Sequence, residues 1–219
     1  MALHCPLCRH PAAHSYHRDH SREYLQCARC ALVFVPPEFH LSADRERAYY
    51  DLHENDLADE GYRRFLNRCA EPLLDRLSAG AKGLDFGCGP APLLARLLEE
   101  GGHSLQVYDP FYVPDTSVLQ PDCNYDFIVT TEVVEHMSAP GVELEALWRL
   151  LRPNGLLAIM TKRVMSPERF VGWHYTRDPT HICFFSEETF RWLADHLEAR
   201  LELAGPDVAF LYKSGVDPK

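Results

Sequence analysis

The chain has 219 residues, of which 46% are hydrophobic and 25% charged, and its formal net charge at pH 7 is −10. These values are ordinary for a globular chain and exclude a largely disordered, collagen-like or low-complexity protein. The acidic balance disfavours a protein that mainly tracks phosphate backbones. The longest apolar stretches, such as 156–160, are far shorter than the roughly 20 residues that span a bilayer. The start lacks the basic region and apolar run of a secretory signal, so we expect a cytoplasmic protein.

Two closely spaced cysteine pairs stand out in the first thirty residues. Cys5 and Cys8 form one C-x-x-C pair, Cys27 and Cys30 form the other, and eighteen residues separate the pairs. Two residues between thiolates let one tight turn place both sulfurs on a metal, and a second such turn completes a tetrahedron. The pattern predicts a structural Zn²⁺ site in a small zinc-ribbon-like unit of residues 1–35. Free or disulfide-bonded thiols are the weaker alternative.

The charge of this unit is weak evidence for a nucleic-acid partner. Residues 1–30 hold four arginines against two acidic residues, but four thiolates around one Zn²⁺ sum to −2 and cancel that excess. The chain has no basic run longer than two residues. A nucleic-acid partner is therefore disfavoured, and no membrane partner is expected.

Residues 36–64 separate the ribbon from the rest of the chain and are predicted to form a linker that caps the active site. Three aromatic or imidazole side chains there, Tyr50, His53 and Tyr62, are candidate substrate-binding residues, since such rings offer an apolar face and a polar edge.

From residue 83 the sequence alternates as an α/β fold does. Residues 83–86 read as a short buried strand, 87–90 as a tight glycine turn, and leucines at helical spacing follow. A second strand ends in Asp109. A glycine turn between strand and helix lets the backbone approach a ligand, and a carboxylate at the next strand end can accept both ribose hydroxyls. A dinucleotide is disfavoured because Pro92 stands where a third glycine is needed.

Further segments follow the glycine turn in order. They are the aspartate after the second strand, a strand over 125–129, the Glu-Val-Val-Glu-His segment 132–136, and a Leu-Leu-Arg-Pro-Asn-Gly turn within 150–157. Together with Leu-Asp-Phe-Gly-Cys-Gly at 84–89, this set resembles the class I S-adenosylmethionine-dependent methyltransferases over about residues 65–212.

The resemblance implies a fold and a cofactor. The fold is α/β, a doubly wound, mostly parallel, seven-stranded Rossmann-like sheet with a reversed edge strand, formed by residues 65–219 beside the ribbon. In that family the glycine loop passes beneath the methionine half of S-adenosyl-L-methionine, and the acid after the second strand holds the ribose. Only fifteen residues separate Asp109 from Tyr125, so we expect a shortened crossover. The implied cofactor-binding residues are Asp85, Gly87, Cys88, Gly89 and Asp109, with Glu132 as a candidate adenine contact.

A segment rich in aromatic and charged residues, 173–181, follows the fifth predicted strand. Such a cluster can stack on a planar acceptor, bind its polar edges and supply a base. Similar D-x-T-H-x-x-F segments lie near the acceptor pocket in the family, which favours His181 as the catalytic base over the second candidate, His174. The candidate substrate-binding residues of this segment are Trp173, Tyr175, Arg177 and Asp178. Alternatively, the aromatics pack on the sheet and the polar residues shape a turn.

The sequence thus predicts methyl transfer from S-adenosylmethionine to an oxygen, nitrogen or carbon atom of a small molecule. One alternative is an RNA methyltransferase that docks through its zinc unit. Another is a protein that binds S-adenosylmethionine without catalysis.

Overall fold

The computed structural model describes residues 3–51 and 59–215, which form an α/β domain and a small antiparallel sheet. The larger sheet has the strand order β5-β4-β6-β7-β10-β9, and the smaller one has the order β1-β2-β3-β8. The strands are β1 Ala13–Arg18, β2 Glu23–Cys27, β3 Val33–Phe34, β4 Lys82–Phe86, β5 Ser104–Tyr108, β6 Tyr125–Thr131, β7 Leu151–Met160, β8 Cys183–Phe184, β9 Ala199–Ala204 and β10 Val208–Lys213. The helices are α1 Ala43–Tyr50, α2 Glu60–Leu74, α3 Leu93–Glu100, α4 Pro140–Leu150, α5 Pro167–Phe170 and α6 Glu187–His196.

The larger sheet is covered on both faces because its central strands alternate apolar residues between two layers. Phe127 and Val129 of β6 pack with leucines of α2 and α3 on one face. Ile128 points to the opposite face and joins the cluster that contains the buried residues of α4 and α6. This arrangement is doubly wound, as expected.

The strand count and the reversed strand differ from the expectation. Among the described residues the large sheet has six strands, not seven. The segment between β5 and β6 is too short for a helix and a third strand, and it forms a single 3₁₀ turn, Thr116–Leu119. The antiparallel strand is β10, which lies between β7 and β9 and not at the edge. The hairpin from β9 to β10 brings the last strand back inside the sheet.

The amino-terminal unit is joined to the α/β domain through the small sheet. Its third strand, β3, pairs antiparallel with β8, so that Val33 lies opposite Phe184. The two Cys-x-x-C turns flank the hairpin formed by β1 and β2. Leu7 also packs tightly against α4, where a Cβ on Gly141 would come within 2.1 Å of the Leu7 carbonyl oxygen. Glycine is therefore required at that contact.

Among the helices of residues 3–51 and 59–215, none is both long and apolar enough to cross a bilayer.

Candidate active site

The glycine turn after β4 approaches the neighbouring strand closely. The amide nitrogen of Gly87 donates to the carbonyl oxygen of Tyr108 at 2.7 Å. Gly87 and Gly89 have φ values of +81° and +65°, which are left-handed conformations that favour glycine. A Cβ on Gly89 would face open space. The turn therefore presents bare backbone toward the carboxyl edge of the sheet.

Asp109, directly after β5, is tied to this turn. Its Oδ2 accepts from the Gly89 amide at 3.0 Å, and its Oδ1 accepts from the amides of Phe111 and Tyr112 at 2.9 and 3.1 Å. The carboxylate is buried, and it has acceptor capacity beyond these three bonds. The structure thus brings together the glycine turn and the acid that the sequence analysis paired.

A single cavity of about 700 Å³ runs along the carboxyl ends of β5, β4, β6 and β7. This position is where open α/β sheets bind ligands, because the strand order reverses direction beside β4. The volume is within the range of small-molecule sites. The predicted cofactor residues Asp85, Gly87, Cys88, Gly89, Asp109 and Glu132 all line it.

Burial raises the pKa of Asp85 within this cavity. The residue is 2% exposed, and the pKa of its carboxyl group rises to about 7 despite an amide hydrogen bond from Ala95. Asp85 therefore holds its proton more tightly than an exposed aspartate does.

Two glutamates and a tyrosine form a buried polar cluster after β6. The Tyr175 hydroxyl donates to Glu135, and Oε2 of Glu132 lies 3.3 Å from the same hydroxyl. Burial raises the pKa of both carboxyl groups, and the charge of Glu132 adds to the effect at Glu135. Oε1 of Glu132 is buried without a hydrogen-bond partner among the described residues. Glu132 also lines the cavity and has a strained φ of +52°, a backbone conformation that clusters at functional sites.

His181 lies at the cavity wall, where a backbone carbonyl group orients its ring. Its Nδ1 lies 2.7 Å from the carbonyl oxygen of Tyr175, so this nitrogen carries the proton and Nε2 is the acceptor. Nε2 lies 3.7 Å from Asp178. Burial lowers the pKa of His181 to about 4, so the ring is neutral at pH 7.

The predicted acceptor residues divide into three groups. The cavity is lined by Tyr50, Tyr62, His174, Tyr175, Asp178 and His181. Trp173 instead packs against Phe170 and Tyr175, at ring-centre distances of 5.8 and 5.0 Å, and Arg177 is exposed away from the lining. His53 lies outside the described residues.

His174 differs from His181 in its surroundings. It is exposed, and the Lys162 ammonium group donates to its Nε2 at 2.8 Å. Its pKa is lowered, first by partial burial and then by Lys162 and Arg177.

Several cavity residues were not singled out from the sequence. Helix α1 contributes Glu46, and the segment after Asp109 contributes Phe111 and Tyr112. The Tyr112 hydroxyl donates to Asp51 at 2.8 Å and so ties the end of α1 to the cavity rim. The only sequence signal for these residues was their place after the second strand or in the predicted cap.

The four ribbon cysteines meet as their spacing predicts. Sγ of Cys5 lies 3.5 Å from that of Cys30, and Sγ of Cys8 lies 3.4 Å from that of Cys27. All four sulfurs lie within 4.8 Å of one another. Bonds of about 2.3 Å to one tetrahedral Zn²⁺ would place sulfurs roughly 3.8 Å apart, so the four side chains fit such an ion.

A family model described as a methyltransferase domain matches residues 55–202. The chain belongs to this methyltransferase family. It is an S-adenosylmethionine-dependent methyltransferase. No curated protein matches its sequence.

Solved structures similar to this methyltransferase share its fold. A Burkholderia thailandensis 1,6-didemethyltoxoflavin-N1-methyltransferase, solved with 1,6-didemethyltoxoflavin and S-adenosylhomocysteine, is 18% identical with a TM-score of 0.54, over 92% of this chain and all of that one. An O-methyltransferase family protein from the same species is 13% identical with a TM-score of 0.56, over 82% of this chain and 63% of that one. A complex of the Haloferax volcanii Trm112 methyltransferase activator with a methyltransferase gives 13% identity and a TM-score of 0.52, over 80% of this chain and all of that one.

The cavity of the methyltransferase fits its cofactor. S-adenosylmethionine offers a ribose diol, an amino acid group and a methyl group activated by a sulfonium sulfur. The glycine turn leaves open space where a Cβ of Gly89 would stand, and Asp109 is placed to accept from a diol. These residues therefore suit the cofactor's polar groups.

Proposed function

We propose that the protein transfers the methyl group to a small-molecule acceptor bound beside Glu132, Tyr175 and His181. The observation that carries the proposal is the position of Glu132 on the wall of the same cavity as the glycine turn, with Oε1 buried and without a hydrogen-bond partner among the described residues. A buried acceptor atom without a donor costs free energy, and rotation of the Glu132 carboxyl group toward the cavity would let an O–H or N–H group of the acceptor satisfy it.

In this proposal Glu132 is a better proton acceptor than His181, the base predicted from the sequence. Burial brings the pKa of its carboxyl group to about 7, near the value at which a general base works best at neutral pH. Methylation of an O–H or N–H acceptor releases a proton, which Glu132 takes up. His181, whose pKa burial lowers, stays neutral and accepts a hydrogen bond from another donor group of the acceptor molecule. The second predicted catalytic residue, His174, has no catalytic role in this proposal; it is an exposed polar group at the edge of the cavity.

The cofactor end of the cavity would use residues implied by the sequence together with Phe111, which was not singled out there and replaces Glu132 as the adenine contact. Asp109 holds the ribose diol, the turn of Gly87, Cys88 and Gly89 lies beneath the methionine half, and Phe111 offers an apolar face for adenine. Their positions along the cavity wall support this assignment.

We propose in addition that Cys5, Cys8, Cys27 and Cys30 bind one structural Zn²⁺. The support is the sulfur spacing, which suits a closed site with no open coordination position. In this proposal residues 1–35 are the zinc-ribbon unit, 36–64 cap the active site, and 65–219 form the methyltransferase domain. Glu46 and Tyr50 on the cavity wall support a capping role for α1.

A small molecule is favoured over RNA by the charge of the site. Several carboxyl groups, including Glu46 and Asp178, line the cavity with Lys162 as the only lysine or arginine among the described lining residues, an arrangement that repels phosphates. The B. thailandensis methyltransferase was solved with a small heterocycle, which supports the same choice. Membership in the methyltransferase family leaves no support for a non-catalytic role.

The test is a methyl-transfer assay with label in the methyl group of S-adenosylmethionine. Ultrafiltered cell metabolites and total RNA are offered in separate reactions, with Glu132→Gln as the inactive control. We expect label in a metabolite and at least a tenfold loss with the variant. Label in RNA alone would refute the small-molecule proposal.

A further inference from the structure

One arginine of the amino-terminal unit reaches into the segment that carries His181. Arg22 lies just before β2 and is 7% exposed. Its Nη1 donates to the carbonyl oxygens of His181 and Pro179 at 2.9 and 3.2 Å. Its Nη2 donates to those of Thr176 and Asp178 at 2.7 and 2.8 Å. The backbone of residues 176–181 is therefore wrapped around one guanidinium group.

The other side of Arg22 is fixed within the ribbon. Nε donates to the Tyr24 hydroxyl at 2.8 Å, and that hydroxyl donates to Oδ2 of Asp19 at 2.8 Å. Oδ1 of Asp19 accepts from the amides of Ser21 and Arg22 at 2.7 and 2.9 Å. Contacts within the ribbon therefore fix the orientation of the guanidinium group. Together with the bonds to the four carbonyl oxygens, they use all five of its N–H donors.

The bonding pattern requires arginine in particular. Four carbonyl oxygens that point toward one place repel each other and would be left without donors if the guanidinium were removed. A lysine ammonium has three donors on a flexible stem and cannot reproduce the planar fork. Burying the guanidinium charge against carbonyl dipoles costs desolvation free energy. The presence of Arg22 is therefore better explained by the backbone geometry that it imposes than by a gain in stability.

This geometry reaches the cavity through His181 and Tyr175. The carbonyl oxygen of Tyr175 orients the His181 ring, and the Tyr175 hydroxyl donates to the buried Glu135 and lies 3.3 Å from Oε2 of Glu132. Directly after this segment, the amide nitrogens of Ile182 and Cys183 donate to the carbonyl oxygen of Glu135 at 2.8 and 2.9 Å. A shift of the 176–181 backbone would therefore displace both cavity side chains.

We propose that Arg22 is a positioning residue of the acceptor pocket, through which the zinc-ribbon unit holds the segment 176–181 and sets the place of His181. The inference rests on the proposed function only in naming this part of the cavity as the acceptor pocket.

The test compares Arg22→Lys and Arg22→Gln with Arg18→Ala in the full-length, zinc-loaded protein. Arg18 lies on the same hairpin, and its side chain is 70% exposed in an ion pair with Glu23, which makes it a matched control. Metal content and S-adenosylhomocysteine affinity are measured first. We expect both to stay within twofold of the parent protein, because Arg22 contacts neither the cysteines nor the glycine turn.

The decisive readouts are amide hydrogen exchange of residues 181–183 and the titration of His181 followed by NMR. In both Arg22 variants we expect exchange at least tenfold faster and a His181 pKa that moves up toward the ordinary histidine value. Arg18→Ala should change neither. Parent-like exchange and titration in both Arg22 variants would overturn the inference, even if one variant loses activity.

These readouts do not depend on which acceptor is used. Label found only in RNA would refute the small-molecule proposal while the exchange and titration results still decide the role of Arg22. Once an acceptor is in hand, Arg22→Lys should raise its KM at least fivefold and leave the KM for S-adenosylmethionine unchanged. Equal changes in both KM values would count against a role confined to the acceptor pocket.

Discussion

A Cβ atom on Gly87 would lie 2.3 Å from Cγ2 of Val133. Val133 follows β6 in the segment that also carries Glu132 and Glu135, so the glycine turn and the acidic cluster are in direct steric contact. The absence of a side chain at Gly87 lets the two neighbouring loops lie against each other at the cavity.

Gly87→Ala should therefore weaken cofactor binding. The substitution adds the clash with Val133 to the strain of a left-handed alanine, which by itself costs about 1–2 kcal/mol. We expect at least a tenfold loss of S-adenosylhomocysteine affinity by calorimetry. Gly102→Ala is the matched control, since Gly102 has a φ of +88° but open space around its Cβ position. The control should lower stability and leave affinity unchanged; equal affinity losses in both would point to a general effect of strain.

Asp109→Asn tests the ribose contact. The amide keeps one acceptor oxygen, loses the charge and sets an NH2 group against the backbone amides on its other side, so S-adenosylhomocysteine binding should weaken by about 1–3 kcal/mol. Asp115→Asn is the control, because Asp115 makes a similar aspartate turn onto the Ser117 amide at 2.9 Å on the exposed surface. Unchanged affinity in Asp109→Asn would mean that the ribose lies elsewhere.

The buried carboxyl groups make stability depend on pH. Burial raises the pKa of Glu135 from 4.5 to about 8, so above pH 4.5 the unfolded chain has released a proton that the folded protein still holds. The contribution of Glu135 to stability is therefore present below that pH and is lost as the pH rises toward 8. Glu135→Gln should remove this loss while keeping an acceptor for Tyr175.

The measurement is denaturant unfolding of the ligand-free protein across this pH range. The stability of Glu135→Gln relative to the parent should increase with pH by at most about 1.4 kcal/mol per unit. The exposed Glu99→Gln variant should follow the parent at every pH. A constant difference between Glu135→Gln and the parent would show that Glu135 ionises as readily in the folded as in the unfolded state.

Removal of the proposed Zn²⁺ should increase hydrogen exchange beyond the ribbon. Because β3 pairs with β8 and Arg22 bonds the 176–181 backbone, chelation or Cys27→Ser should speed hydrogen exchange in residues 5–35 and 176–184. The strands β9 and β10, which contact neither segment in the sheet order, should keep their protection. Cys69→Ser, at a buried cysteine outside the ribbon, should not change metal content. Unaltered exchange at 176–184 after complete metal loss would contradict the coupling.

Local spacing made part of the site predictable from sequence. The two residues within each cysteine pair suit one turn at a metal, and the buried strand before Gly87 places the turn at a sheet edge. The position of Asp109 beside the glycine turn was also predictable, because adjacent parallel strands end side by side. The crossover of fifteen residues also indicated a shortened connection, although the loss of the third strand and the inner position of β10 became evident only in the sheet.

The features that required the structure are contacts between distant parts of the chain. Arg22 contributed only a charge in the sequence, yet it bonds carbonyl groups more than 150 residues away. Backbone carbonyls carry no sequence signal, so no residue pattern could reveal that arrangement. Trp173 is the opposite case: the sequence pattern favoured a substrate contact, but its half-buried ring packs against Phe170 and not along the cavity.

The sequence by itself therefore determined the chemistry that depends on neighbours along the chain: the glycine turn, the acid after the next strand and the paired thiols. Tertiary structure alone decided which side chains lose water and which atoms meet. Burial raises the pKa of Glu132 to about 7 and lowers that of His181 to about 4, and these shifts are the reason that we propose Glu132 and not His181 as the proton acceptor. Desolvation depends on everything packed around a group, and that is a property of the folded chain.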